Sequence, residues 1–305
     1  MKIIVTGSRG MLGLDLVPRL EQAGFQVMGV DIDELDITRL DDISRYFKMD
    51  RPGLVINCAA YTAVDRAEKE SDSAFAVNRD GPDNLARVCM DRKLPLVHIS
   101  TDYVFDGNGD QPYPEDDPVN PLGIYGKSKW EGEEAVRTCL KENLIIRTAW
   151  LFGVHGKNFV KTMINLSCER EEFNVVSDQI GCPTWSGDLS DALVYITKVI
   201  QKNRARVPWG TYHFCGQGQT SWHGFACAVV EETSKRGKSQ RPRFQPIPTC
   251  DYPTPAKRPM WSVMDCCKIQ NASNVHPLYW RDGLVKMLER LYYDAGKDDD
   301  PGGSD

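Results

Sequence analysis

Short apolar runs recur along the first half of the chain, and they predict buried β-strands. Within each run the apolar residues follow one another without the alternation of a half-exposed strand, which is typical of parallel strands covered on both faces. The five runs are Lys2–Thr6, Gln26–Val30, Leu54–Asn57, Leu96–Ser100 and Leu144–Thr148.

Stretches with the spacing of amphipathic helices separate these runs. They cover Met11–Ala23, Leu40–Phe47, Ser71–Lys93 and Lys127–Lys141. Regular alternation of strand and helix predicts an α/β fold built on a doubly wound parallel sheet. Pro18 lies inside the first helical stretch, and we expect it to kink or shorten that helix.

The pattern changes after residue 150. Residues 241–259 hold six prolines and form either an ordered irregular segment around a site or a linker. Residues 296–305 are polar and glycine-rich, so we expect a disordered tail. Further helices are predicted at Phe159–Cys168, Leu189–Gln201, Phe225–Lys235 and Leu284–Tyr293.

Length, charge and cysteine usage narrow the class of protein. The 305 residues suffice for about two domains. A net charge of 37 − 43 = −6 argues against nucleic acid as a partner, because phosphate backbones attract basic surfaces. No apolar run approaches the roughly 18 residues of a membrane span. The ten cysteines include no CxxC pair, so we predict no metal site and free thiols in a cytoplasmic protein.

A glycine-rich turn follows the first predicted strand directly and opens the first helix. Its glycines form the pattern GxxGxxG, which in this position predicts a dinucleotide site. Glycines allow the backbone to approach a pyrophosphate, and the helix N-terminus offers free N–H groups to the anion. The alternative, a turn without a ligand, is less favoured here. The residues assigned to this site are Gly7, Arg9, Gly10, Met11, Leu12 and Gly13.

Two residues give conflicting indications about the cofactor. Asp31 ends the second predicted strand, where a carboxylate binds the ribose 2′-hydroxyl of NAD and repels a 2′-phosphate. Arg9 lies in the glycine turn, where a guanidinium attracts the 2′-phosphate of NADP. Asp31 could also be a simple turn residue and Arg9 a solvated charge. Both NADPH and NADH therefore remain candidate cofactors.

A tyrosine and a lysine four residues apart begin a later helical stretch. The spacing of Tyr125 and Lys129 places both on one helix face. A nearby ammonium is expected to lower the pKa of the phenol, so that the pair can exchange a proton with a carbonyl or alcohol oxygen. Thr101 follows a predicted strand and could hydrogen-bond the same oxygen, or simply complete a turn. Alone, the YxxxK pattern is common; after the glycine turn it becomes specific.

In this order, the glycine turn, Ser-Thr-Asp and YxxxK resemble the extended short-chain dehydrogenases/reductases. Longer stretches resemble the dTDP-4-dehydrorhamnose reductase family within that superfamily, from residue 1 to about 190 and more weakly beyond. These stretches are Asn57–Ala67, Ser100–Gly107, Asn120–Glu133, Arg147–Gly153 and Asp178–Trp185.

The resemblance implies a Rossmann-like domain and a smaller C-terminal substrate-binding domain. Residues 1–150, joined by 175–222, would bind NAD(P), and residues 151–174 and 223–295 would bind the substrate. The implied reaction is hydride transfer from NADPH or NADH to the 4-keto group of a dTDP-4-keto-6-deoxy-L-sugar, giving dTDP-L-rhamnose. Tyr125 would donate the proton, Thr101 would bind the same oxygen, and Lys129 would tune Tyr125 and hold the ribose.

Further site residues follow from the same resemblance. Trp150 has a plain alternative as a core residue, and Arg258 as a solvated charge. The implied cofactor contacts also include Asp36, Ile37, Ala59, Ala60, Tyr61 and Asn78. The implied substrate contacts are Val64, Asp102, Tyr103, Trp150 and Arg258.

Proteins that resemble this chain differ in their oligomeric state and in their function, so both have alternatives here. Some relatives form homodimers through C-terminal helices around Mg²⁺, but Glu289 has no convincing glutamate partners, so we predict no required metal and leave a homodimer open. One alternative function is a nucleotide-binding regulatory subunit like that of methionine adenosyltransferase; an intact Thr101, Tyr125 and Lys129 disfavours it. Another is an epimerase or 4,6-dehydratase, but Tyr103 stands where a dehydratase would have glutamate.

Overall fold

The computed structural model describes residues 1–237, 242–273 and 275–298. In chain order the strands are β1 (Lys2–Thr6), β2 (Gln26–Val30), β3 (Leu54–Asn57), β4 (Leu96–Thr101), β5 (Asn143–Thr148), β6 (Leu151–Phe152), β7 (Glu172–Val176), β8 (Ile180–Gly181), β9 (Thr184–Trp185), β10 (Gly210–His213), β11 (Thr220–Ser221) and β12 (Arg243–Ile247). The helices are α1 (Met11–Gln22), α2 (Leu40–Asp50), α3 (Val64–Ala67), α4 (Ser71–Phe75), α5 (Gly81–Arg92), α6 (Ile124–Cys139), α7 (Phe159–Glu169), α8 (Ser186–Asn203), α9 (Trp222–Lys235), α10 (Cys267–Ser273) and α11 (Trp280–Asp298).

A six-stranded parallel sheet with the order β2-β1-β3-β4-β5-β10 forms the centre of the fold. The doubly wound α/β prediction is confirmed, and all five predicted strands are present. The sixth strand, β10, was not predicted, because its sequence Gly-Thr-Tyr-His lacks a long apolar run and it pairs only with β5. The order reverses between β1 and β3, and ligands of such sheets bind in the crevice at this reversal.

Apolar side chains from both faces of the sheet are buried under helices. Ile3 and Val5 point to one face and pack in a cluster with Leu16 of α1. Ile4 points to the other face and packs in a cluster with Phe47 of α2. This explains why the sequences of the inner strands β1 and β3 are continuously apolar, since both faces of the sheet are covered there.

Three helical predictions differ from the structure in detail. The stretch 71–93 is divided into α4, a π-helical turn at Ala76–Asp80, and α5. Helix α1 runs through Pro18 to Gln22, so the proline does not end it there. Helix α11 extends to Asp298, so the first residues of the predicted disordered tail are helical; residues 299–305 lie outside the described residues.

The second half of the chain contributes to two different parts of the molecule. Helix α8 packs against α1, and β10 joins the central sheet. Strand β7 lies outside that sheet and pairs with β12. A third apolar cluster around Phe152, Phe225 and Leu284 lies among α7, α9 and α11. In the described ranges, no helix combines the length and apolarity that a bilayer crossing demands.

A buried carboxylate connects the first helix to the C-terminal half. Asp15 of α1 is fully buried and accepts hydrogen bonds from Ser186 of α8 and Arg290 of α11. Arg19, one turn along α1, also contacts Asp15, at 3.1 Å. Three helices far apart in sequence therefore meet at one charge.

We expect Asp15→Ala to lower the free energy of unfolding by about 3 kcal/mol, because removing one partner of a buried ion pair leaves the others uncompensated. Denaturant unfolding followed by circular dichroism measures the change. Asp191→Ala is the matched control, because Asp191 also binds Arg19 but is exposed. If both variants lowered the free energy of unfolding equally, the larger contribution that we assign to the buried Asp15 would be contradicted.

Candidate active site

A cleft of about 810 Å³ opens at the carboxyl ends of β1, β3 and β4, where the strand order reverses. It brings together nearly all of the site residues predicted from the sequence. Those that line it are Gly7, Arg9, Gly10, Met11, Leu12, Gly13, Asp31, Asp36, Ile37, Ala59, Ala60, Tyr61, Val64, Thr101, Asp102, Tyr103, Tyr125, Lys129 and Trp150.

The glycine turn fits the close approach that a dinucleotide requires. Gly7 has φ +65°, and a Cβ there would lie 2.6 Å from the backbone nitrogen of Ala59. A Cβ on Gly13 would lie 2.4 Å from the carbonyl oxygen of Gly7. Gly10 caps α1 without a side-chain hydrogen bond, so the first N–H groups of the helix remain available to an anion.

Charged side chains lie at the outer edge of this turn, where the 2′-position of the cofactor's ribose would bind. The Arg9 backbone N–H donates to Asp31 at 3.0 Å, and the Arg9 guanidinium binds Asp33 and Glu34 at 2.9 and 2.8 Å. Glu34 also accepts from the Asp31 backbone N–H at 2.9 Å. Arg9 is therefore held by two carboxylates that the sequence reasoning did not consider.

The proposed catalytic residues come from β4 and α6. Thr101 ends β4, where its hydroxyl donates to Asp102 at 3.0 Å and accepts from the Tyr103 backbone at 3.2 Å. Tyr125 is in the first turn of α6, with its ring 5.4 Å from that of Tyr103. Lys129 follows one turn later, is only 2% exposed, and donates to the carbonyl of Ile99 at 2.7 Å.

Burial dominates the ionisation of these groups. Desolvation raises the pKa of Tyr125 to about 12, and a hydrogen bond with Thr101 offsets only part of this rise. The expected lowering of the Tyr125 pKa by Lys129 is therefore not seen. Burial lowers the pKa of Lys129 to about 8, although the nearby Glu133 favours its charged form. Burial also raises the pKa of Asp102 to about 6.

A buried ion pair holds the helix that carries these residues. Glu133, on the same face of α6 as Tyr125 and Lys129, binds Arg147 of β5 at 2.8 Å. Its carboxylate also accepts from the hydroxyl of Ser100 at 2.5 Å. Helix α6 is thereby tied to β4 and β5 beside the cleft.

Two predicted site residues do not line the cleft. Asn78 is fully buried in the π-helical turn, where it binds both the N–H and the carbonyl of Tyr61, at 2.8 and 3.0 Å. It holds the loop that forms the cleft wall. Arg258 pairs with Asp65 at 2.9 Å and lines a second cavity of about 750 Å³.

Several lining residues were missed by sequence reasoning. Cys58 follows β3, Thr148 ends β5 and Ala149 follows it, so their positions at the carboxyl ends of strands could have indicated them. Lys157 lies in a loop and carries no such signal. In the described ranges, no group of three or more His, Cys, Asp or Glu residues is arranged to hold a metal ion.

Fold and cleft together define a Rossmann-type α/β protein whose cleft lies where such sheets bind a nucleotide cofactor. UDP-glucose 4-epimerase of Thermus thermophilus shares this fold, with a TM-score of 0.79 at 20% identity over 96% of this chain and 99% of that one.

The family can be stated more narrowly. The family model described as the RmlD substrate binding domain matches residues 1–293. The dTDP-4-dehydrorhamnose reductase of Aggregatibacter actinomycetemcomitans is 42% identical over 94% of this chain and 98% of that protein. This chain therefore belongs to the dTDP-4-dehydrorhamnose reductase family.

Solved structures of the same family superpose closely. The dTDP-4-dehydrorhamnose reductase of Clostridium acetobutylicum has a TM-score of 0.89 at 39% identity, over 96% of this chain and 100% of that one. The Bacillus anthracis reductase, solved in complex with NADP, has a TM-score of 0.87 at 36% identity, over 95% of this chain and 99% of that one.

We expect the double variant Asp33→Asn, Glu34→Gln to improve the affinity ratio for NADPH over NADH about tenfold. The substitutions release the Arg9 guanidinium for a 2′-phosphate and remove two repelling charges, while Asp31 stays to bind a 2′-hydroxyl. Fluorescence titration with each cofactor measures the ratio. Asp41→Asn, which removes an exposed charge on α2, is the control. An unchanged ratio would show that the acidic pair does not restrain Arg9.

Proposed function

We propose that this protein reduces the 4-keto group of a dTDP-4-keto-6-deoxy-L-sugar with NADPH or NADH, giving dTDP-L-rhamnose. It is an NAD(P)H-dependent oxidoreductase of nucleotide sugars. One observation carries the proposal most strongly. Thr101, Tyr125 and Lys129 converge at one part of the cleft, and the glycine turn suited to a pyrophosphate lies in the same cleft. This arrangement supports Tyr125 as the proton donor beside a bound nicotinamide.

The chain's own residues supply the proton and stabilise the developing charge. When bound, the reduced nicotinamide supplies a hydride to the carbonyl carbon. Tyr125 is a neutral phenol at physiological pH, as an ordinary tyrosine is, and burial raises its pKa further, to about 12. It can therefore donate its proton to the carbonyl oxygen, which becomes a stronger base than phenolate as the hydride arrives. Thr101 hydrogen-bonds the same oxygen, and Lys129 would hold the nicotinamide ribose.

The second cavity is suited to the nucleotide part of the substrate. It is lined by aromatic residues, including Phe173 and Tyr252, and by Arg258. Arg258 is 24% exposed at its side chain and has one buried guanidinium nitrogen without a hydrogen-bond partner. A guanidinium with a free donor suits a diphosphate oxygen. We therefore place the diphosphate at Arg258 and the sugar near Tyr125.

The domain roles, the assembly and the cellular location follow as parts of the same proposal. Residues 1–150 and 175–222 would bind the cofactor, which is supported by the pairing of β10 with β5 and the packing of α8 on α1. Residues 151–174 and 223–295 would bind the substrate, alone or within a homodimer. The ten cysteines are free thiols, which is in keeping with a reducing cytoplasm.

The direct test is oxidation of NADPH or NADH in the presence of dTDP-4-keto-L-rhamnose, followed by the loss of reduced-nicotinamide absorbance. We expect Tyr125→Phe to lower kcat by about 10²- to 10⁴-fold with unchanged cofactor affinity, because the proton donor is lost. Tyr212→Phe is the control, because Tyr212 binds the carbonyl of Pro208 away from the cleft. Cofactor binding without turnover in the unmodified protein would instead favour the regulatory-subunit alternative.

We expect the pH dependence of kcat/KM to follow the ionisation of the Lys129 side chain. Its ammonium is present below a pKa of about 8 and is lost as the pH rises through this value. We expect kcat/KM to fall above about pH 8, well before Tyr125 titrates near 12. Circular dichroism at each pH checks that the protein stays folded. A profile that stays level to about pH 10 would contradict a role for the charged lysine.

A further inference from the structure

The backbone at Trp150 is strained for a reason that local structure does not explain. Three non-glycine residues in the described ranges have φ in the left-handed region: Arg51, Lys93 and Trp150. Arg51 and Lys93 are the C-caps of α2 and α5, where this conformation is common. Trp150 follows β5 and precedes β6, and caps no helix. Such strain persists only where surrounding contacts impose it.

The contact that holds Trp150 is a second tryptophan. The indole of Trp150 stacks on that of Trp222, with ring centroids 3.5 Å apart and planes 4° from parallel. Gly181 also abuts the ring, since a Cβ there would lie 2.4 Å from Trp150 Cε2. The Trp150 ring therefore has a defined position between elements distant in sequence.

Trp222 is itself fixed by its surroundings. It is the first residue of α9, whose N-terminus is capped by the Ser221 side chain accepting from the Gly224 backbone N–H at 3.0 Å. The ring of Phe159 from α7 packs against it with centroids 4.6 Å apart. A rigid helix end thus presents Trp222 to Trp150.

The two indoles join the walls of the two cavities. Trp150 lines the cleft that contains Tyr125, whereas Trp222 lines the second cavity with Arg258. A nucleotide sugar that reacts at Tyr125 and binds its diphosphate at Arg258 would span both cavities and so meet this aromatic pair. An indole suits the apolar side of a 6-deoxy sugar ring, including its methyl group.

We propose that Trp222 is a positioning residue for the reduction: by stacking on Trp150, it fixes the indole against which the 6-deoxy sugar packs. The inference rests on the proposed function, because it assumes that a keto sugar binds beside Tyr125. Without the ring of Trp222, Trp150 can relax its backbone and move, and the carbonyl is no longer held in line with its proton donor. Trp222 itself does not line the cofactor cleft, and Trp150 is assigned to the sugar, so we expect cofactor binding to change little.

The test compares Trp222→Ala and Trp222→Phe in the full-length protein. We expect Trp222→Ala to lower kcat/KM for dTDP-4-keto-L-rhamnose about tenfold or more, with contributions from both KM and kcat. The dissociation constant of NADPH should stay within about twofold, because Trp222 lies outside the cleft that contains the glycine turn. Trp222→Phe should restore most of the activity, since a phenyl ring can still cover the Trp150 indole.

A spectroscopic signature accompanies the kinetics. Two stacked indoles couple electronically, and they give paired circular dichroism bands of opposite sign where their transition dipoles are rotated against each other within the parallel planes. We expect Trp222→Ala and Trp222→Phe to lose these bands. The control is Trp280→Phe, which removes a buried tryptophan that packs on Phe225 rather than on Trp150 and should leave both the paired bands and the kinetics unchanged.

Different results would contradict the proposed reductase activity and the positioning role of Trp222. No NADPH oxidation by the unmodified protein would contradict the proposed function. Turnover by the unmodified protein together with unaltered kinetics of Trp222→Ala would overturn the positioning role. Equal impairment of Trp222→Phe and Trp222→Ala would also overturn it, because the stacked ring would then not be what matters. Equal weakening of substrate and NADPH binding would indicate general damage and likewise contradict the inference.

Discussion

A buried ion pair between Glu133 and Arg147 is the interaction on which the site depends most. Both side chains are almost completely buried, and their closest atoms lie 2.8 Å apart. Leaving either charge alone in this interior would cost about 3–5 kcal/mol. The pair therefore fixes the register of α6 against β5, and the bond to Ser100 does the same against β4. Tyr125 and Lys129 share the helix face of Glu133, so their positions follow from it.

The second constraint is the narrow space where the strand order reverses. The chain leaves β1 through Gly7 so close to Ala59 that no side chain fits between them. This closeness lets backbone N–H groups line one part of the cleft while α6 supplies ionisable side chains to another. A backbone suited to an anion and the proposed proton donor Tyr125 are thus combined in one cleft, as a nicotinamide-dependent reduction of a carbonyl requires.

Local patterns in the sequence predict local features well, and long-range contacts explain what they miss. The apolar runs gave all five predicted strands, and GxxGxxG and YxxxK identified both parts of the cleft. The π-helical turn could not be predicted, because it accompanies the close packing of Gly132 against the Asn78 backbone. The pKa of Tyr125 rises instead of falling because burial outweighs local charge. Arg258 faces Asp65, 193 residues away in sequence.

The most direct test of the central claim follows the transferred hydride itself. The protein would be supplied with dTDP-4-keto-L-rhamnose and NADPH deuterated at the transferable position of the nicotinamide, and the sugar product analysed by mass spectrometry and NMR. The account predicts one deuterium, bound to carbon 4 of the product sugar. A reduced product without deuterium at carbon 4, or with deuterium at another carbon, would contradict it.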